Sequence, residues 1–107
     1  MPKTKIFKDL IFKKKYKSYG QFHSENREKI YKTIIELFKE FSLVKNKTLS
    51  MTISADIENI EWNTELCFNR GESYILKKDV MPYFEEIEDY ETCSEIINLS
   101  KSLTKSI

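Results

Sequence analysis

The chain holds two glycines, two prolines, two cysteines and a single histidine among its 107 residues. Each shortage closes off a class of function. Two glycines cannot build a glycine-rich phosphate loop, which needs several in one short turn. So little Gly and Pro also argues against long flexible linkers. One histidine and two scattered cysteines cannot supply the three or four convergent ligands of a zinc site. His23 stands far in sequence from both Cys67 and Cys93. No nucleophile–base–orienter set is therefore spelled out. We expect no catalysis, no metal and no cofactor. Cys67 and Cys93 form no CxxC pair. Their default state in a reducing compartment is two free thiols. No apolar run exceeds three residues, as in Leu10-Ile11-Phe12. That is too short for a membrane span or for the apolar core of a signal peptide. The expected location is the cytoplasm, with no membrane partner.

What the chain does hold is charge. Lys and Arg number 18 and Asp and Glu 17, for a net charge of +1. The total conceals an asymmetry. Residues 1–55 carry thirteen basic and five acidic side chains, hence +8; residues 56–107 carry five and twelve, hence −7. Local fields of this kind steer partners more than the sum does. With 40% hydrophobic residues, the chain can also bury one core, and a single domain over 1–107 is expected.

The N-terminal basic element, residues 1–20, centres on FKKKYKSYGQF. That stretch, Phe12 to Phe22, holds four lysines and four aromatics. Ile6, Phe7, Leu10 and Ile11 have helical spacing, whereas Phe7 and Phe12 also suit a strand. Both readings stay open, and Gly20 is expected to stop the element. Ser24 fits an N-cap for a helix over 24–44, with Glu25 and Glu28 at its positive end. Ile30, Ile34, Leu37, Phe38 and Phe41 then recur at steps of three and four.

After the breaker Lys45-Asn46-Lys47 the period changes to two. Leu49, Met51, Ile53, Ala55 and Ile57 alternate with Thr48, Ser50, Thr52, Ser54 and Asp56. Beyond Ile57 the parity flips to Ile60, Trp62, Thr64, Leu66 and Phe68. A tight turn at Glu58-Asn59 joining two antiparallel strands explains the flip. Asn69-Arg70-Gly71-Glu72 reads as a second turn and Ser73–Lys77 as a third strand, completing a meander over 47–77. Pro82 fits the opening of a helix, capped with help from Asp79. The C-terminal helical region, 79–104, carries Phe84, Ile87, Tyr90, Cys93 and Ile96 at steps of three, with a break near Asp89. The expected fold is α+β, with helices packed on one face of a three-stranded antiparallel sheet.

With catalysis set aside, binding by charge complementarity is the expected work. Lys13, Lys14, Lys15, Lys17 and Tyr16 are the first candidate contacts. The lysines supply salt-dependent attraction to phosphate, and Tyr16, Tyr19 or Phe22 can stack on unpaired bases. Glu85, Glu86 and Glu88 form a possible acidic contact face. Trp62, Tyr83 and Tyr90 are possible protein anchors. In composition alone, this short Lys/Ile/Glu-rich chain is similar in style to proteins of phages and mobile elements, among them anti-CRISPR inhibitors and toxin-neutralising immunity proteins. That likeness implies a stoichiometric inhibitor or regulator of a larger protein or ribonucleoprotein. Two alternatives stand beside it. One is a direct binder of RNA or single-stranded nucleic acid. The other is an immunity protein acting through its acidic helix.

Overall fold

The computed structural model describes residues 4–43, 47–69 and 72–105, with side chains over 8–40, 49–69 and 72–103. The expected helix break at Lys45-Asn46, the turn at Arg70-Gly71 and the last two residues of the tail lie outside the described residues. The elements run β1 (Thr4–Tyr16), α1 (Tyr19–Leu43), β2 (Lys47–Ile57), β3 (Ile60–Phe68), a π-helical turn (Leu76–Val80), α2 (Met81–Glu86) and α3 (Tyr90–Lys105). The sheet order is β1-β2-β3, so β2 is central.

The fold is α+β, but the sheet is mixed rather than antiparallel. β1 runs parallel to β2, from Thr4 beside Lys47 to Tyr16 beside Ile57. Parallel neighbours need a long crossover, and the 25-residue α1 supplies it. Local periodicity cannot reveal such a pairing, because its partners lie on either side of a helix. The N-terminal element is therefore a strand, settling the two open readings. β2 and β3 form the expected hairpin, closed by the pair Ile57 and Ile60. Glu58 and Asn59 both take positive φ, 55° and 62°. That is the signature of a two-residue type I′ turn, whose twist matches the strands it joins.

The expected third strand at Ser73–Lys77 is helical instead. Leu76, Val80 and Phe84 are all fully buried and recur every fourth residue. This stripe belongs to a helix and was hidden under a short alternating run. Pro82 lies just inside α2, not at a fresh start. Having no amide, it cannot bond back to the preceding turn, and its ring crowds the carbonyl four residues earlier. The turn before it is widened accordingly: the Met81 amide donates to the Leu76 carbonyl, five residues back. A π-turn is a recognised way of absorbing such a conflict.

α1 also begins earlier than Ser24. Ser18 is its cap: its hydroxyl accepts from the Gln21 amide at 3.1 Å, and the Gln21 side chain accepts from the Lys17 amide at 2.7 Å. Ser18-Tyr19-Gly20-Gln21 is thus a close variant of the capping box. Gly20 sits in the first helical turn, so it does not end the preceding element. At the other end of the chain, α2 closes on a Schellman motif. The Asp89 amide donates to the Phe84 carbonyl at 2.8 Å and the Glu88 amide to the Glu85 carbonyl at 3.1 Å. Glu88 occupies the left-handed position, with φ of 61°, where glycine is the usual residue. Asp89 then caps α3, accepting from the Thr92 amide at 3.2 Å and the Thr92 hydroxyl at 2.7 Å. The three-residue step fails at this junction, and Ile87 and Tyr90 are exposed.

The core lies between the sheet and the helices. Leu49, Met51, Ile53, Ala55 and Ile57 of β2 meet Phe22, Ile34, Leu37 and Phe38 of α1, with Phe84, Ile96 and Leu103 completing it. Phe22, Phe38 and Phe84 have almost no exposed surface, each such burial stabilising by about 1.5–3 kcal/mol. The opposite sheet face is open. Asp9, Ile11, Glu61, Asn63, Glu65 and Cys67 are all exposed on it. The two-layer build gives a flat molecule, 44 × 39 × 16 Å.

Candidate functional site

The lysine-rich stretch sits where β1 leaves the sheet. Between Ile11 and Lys15 the β1–β2 register shifts, because four steps along β1 match only two from Ser54 to Asp56 along β2. Lys13 and Lys14 lie in this bulge, out of the regular ladder. Bulges re-aim side chains in this way at sheet rims. Lys13, Lys15 and Lys17 are exposed, and among the described residues none makes an ion pair. Lys14 differs. It pairs with Glu25 of α1 and lies 5.6 Å from the centre of the Tyr16 ring. The hydrogen bond between them raises the lysine pKa and, joined by a bond from Gln21, lowers that of the Glu25 carboxyl. Lys14 is thus engaged by another residue of the same chain, although its side chain stays exposed.

Tyr16 is core. Only 5% of its surface is exposed, and its hydroxyl accepts from the Asn26 amide group at 3.0 Å. Its ring packs edge-on against Phe22, 5.1 Å between centres. Phe22 is buried too and also takes Phe12 edge-on at 5.1 Å. Of the rings considered for base stacking, Tyr16 and Phe22 are therefore closed off. Tyr19 is open, with 54% of its surface exposed. It is nonetheless held in place: it stacks on His23 (6.1 Å, 19°) and meets Trp62 edge-on at 5.4 Å. Phe12, Tyr16 and Tyr19 do not form the single helix face that their spacing allows, because the chain changes from strand to helix between them.

A cleft of ≈ 410 Å³ opens at this end, lined by Lys15, Tyr16, Lys17, Glu58 and Asn59. It lies at the carboxyl ends of β1 and β2 and beside the start of α1. Open sheets with helical crossovers commonly bind ligands at that place. The surroundings are not uniformly basic. Glu58 lines the cleft, and Asp56 stands beside Lys15 in the ladder with one carboxylate oxygen buried and without a hydrogen-bond partner among the described residues. The hairpin has carried acids of the second half of the chain against lysines of the first.

The other candidates are dispersed. Glu85 and Glu86 are exposed on the last turn of α2, whereas exposed Glu88 lies beyond it in the closing turn. His23 is partly buried against Tyr19. Cys67 is exposed on the open sheet face and lies 3.0 Å from a Glu65 carboxylate oxygen. Cys93 is buried on α3, and that burial, with Glu85 and Asp89 nearby, pushes its thiol pKa up. Trp62 and Tyr83 pack partly into the core, and Tyr90 is exposed. Among the described residues, no three metal-binding side chains gather in one place. No described helix is long and apolar enough to cross a membrane.

Sequence reasoning missed one feature. The Arg27 guanidinium lies 4.9 Å from the Tyr83 ring centre and 5.6 Å from that of Tyr31. Its Nε is buried with no acceptor among the described residues. The four-residue step from Arg27 to Tyr31 was visible, but the ring from α2 was not. No family model matches this sequence, and no curated protein or solved structure matches it either.

Proposed function

We propose that the protein is a non-catalytic binder that docks on a larger nucleoprotein, anti-CRISPR-like in its manner of action, and inhibits or regulates it one-to-one. The docking surface is the lysine-bearing end where β1 hands over to α1. The observation that carries this reading is the state of Lys13, Lys15 and Lys17. All three are exposed, Lys15 and Lys17 line one cleft while Lys13 lies in the adjoining bulge, and none has an ion-pair partner among the described residues. Ammonium groups left open in this way are ready to replace counterions along a phosphate backbone. Three such contacts give a binding constant whose logarithm falls with log salt at a slope of about −2 to −3. Tyr16 supports the surface from behind, and Lys14 ties it to α1 through Glu25.

The test is recovery of tagged protein from its native cells, with and without the triple change Lys13→Glu, Lys15→Glu and Lys17→Glu. The wild type should co-purify with a complex that contains nucleic acid, in a fixed ratio, and release it as salt rises. The triple variant should recover none. Recovery of the same complex by the variant, or a partner free of nucleic acid, overturns the reading.

A further inference from the structure

Tyr19, His23, Arg27 and Tyr31 recur every fourth residue and so form one row along α1. Each carries a flat group. The row starts beside Lys17 and ends under Tyr83 of α2, whose ring lies 5.6 Å from that of Tyr31. Tyr19 is the exposed member, backed by His23 and braced by Trp62. Arg27 is held over two rings, and its Nε is buried without an acceptor among the described residues. Among the described residues it makes no salt bridge. Its remaining donors are the terminal nitrogens of the guanidinium fork, a shape that suits phosphate oxygens. Tyr19 and Arg27 are two helical turns apart, about 12 Å along the axis.

From this row we infer that the protein contacts an unpaired strand directly: one base stacks on the outer face of Tyr19, and a phosphate further along the strand meets the Arg27 fork. The inference rests on the lysine-end reading above and narrows it to single-stranded nucleic acid. In a duplex the base faces are covered by their neighbours, so an exposed ring has nothing to stack on. An exposed tyrosine fixed by other rings presents its face at little conformational cost. Alternate planar groups and cations are what strands without sequence preference are held by.

The experiment uses fluorescence anisotropy of a short labelled oligothymidylate and of an abasic strand of equal length, with the whole protein. Wild type should bind the oligothymidylate more tightly than the abasic strand or a duplex. Tyr19→Ala should weaken oligothymidylate binding about 5- to 150-fold, the range for loss of one stacked base, and leave abasic binding unchanged. Tyr19→Phe should bind as wild type. Arg27→Gln should weaken both strands and make the salt slope shallower by about 0.7, one phosphate's worth on a single strand. A readout free of substitution comes from Trp62, the sole tryptophan: its emission should change with the base-bearing strand and not with the abasic one.

Equal binding of the two strands by wild type, or full affinity in Tyr19→Ala, overturns the inference. If the lysine triple variant still loses binding in that case, the docking end stands and only the stacking contact falls. If lysine reversal leaves strand binding intact, the lysine-end reading falls; if no strand binds at low salt, direct contact with nucleic acid is refuted altogether.

Discussion

Replacing Glu88 by glycine should make the protein more stable. Glu88 closes α2 with φ of 61°, a region that costs an L-residue about 1–2 kcal/mol because its Cβ crowds the following carbonyl. Glycine removes that cost. It returns about 0.5–1 kcal/mol of it through the greater freedom of the unfolded chain. The Glu88 carboxylate stands between the negative end of α2 and the positive end of α3, opposed effects of about 0.3–1 kcal/mol each, so its removal changes little. The Glu88 side chain is exposed and has no bond within the described residues that would be lost. The net gain is about 1 kcal/mol, which raises the melting temperature by about 4 °C at this chain length. Circular dichroism melts and urea titrations of wild type, Glu88→Gly, Glu88→Ala and Glu88→Val separate the contributions. Alanine removes the charge but keeps the Cβ; valine adds branching where the backbone tolerates it least. The expected order is Gly first, Ala and wild type close together, and Val last. A glycine variant no more stable than the alanine variant refutes the argument from φ, and one less stable than wild type refutes the whole estimate. The acidic-face alternative meets the same variant: a binding partner that relied on Glu88 would lose affinity while the fold gained stability.

Three further outcomes follow from the described contacts. The Asp89 carboxyl is held below its ordinary range first by the Thr92 hydroxyl and then by the Thr92 amide. A lowered folded pKa gives stability that is present above the unfolded value and lost as pH falls through the folded one. Asp89→Asn should therefore show a shallower acid limb in melting temperature against pH, and an unchanged limb would refute that cap. Cys67 is exposed and Cys93 is buried with a raised pKa. Ellman's reagent should modify one thiol rapidly and the second only on unfolding; two fast thiols would contradict the buried position. Glu58→Gln should tighten binding of the oligothymidylate, because it removes a negative charge from the lysine-lined cleft. An unchanged affinity would place the strand elsewhere.

The sequence was most informative where partners are near in the chain. The apolar steps through Ile30, Ile34, Leu37 and Phe38 marked α1, and the parity flip between Ile57 and Ile60 located a turn to the residue. It was least informative where partners are distant. Nothing in Thr4–Tyr16 shows that β2 will lie beside it. The run Ser73–Lys77 alternates over too few residues to exclude the helix that Leu76, Val80 and Phe84 define together. Ser18 and Gln21 held a capping signal, overshadowed by Gly20, whose usual meaning is termination. At the candidate site, residue type pointed to lysines and aromatics, but only packing separates engaged Lys14 from free Lys13, Lys15 and Lys17, or buried Tyr16 from exposed Tyr19. The clamp on Arg27 depends on Tyr83, from the other end of the chain, and no local pattern announces it.

The central strand also sets an order of assembly. Its pairing with β3 closes over two residues, whereas its pairing with β1 must wait for the whole of α1 to be spanned. Closing the longer loop costs more entropy before any contact repays it. The hairpin should thus belong to the folding nucleus, and β1 should be the last strand to join. Kinetic φ-values near zero for Leu10→Ala and high for Ile53→Val would show this order, and the reverse would disprove it. Until β1 arrives, one side of β2 offers unpaired amides and carbonyls to any extended chain, including the β1 of a second molecule.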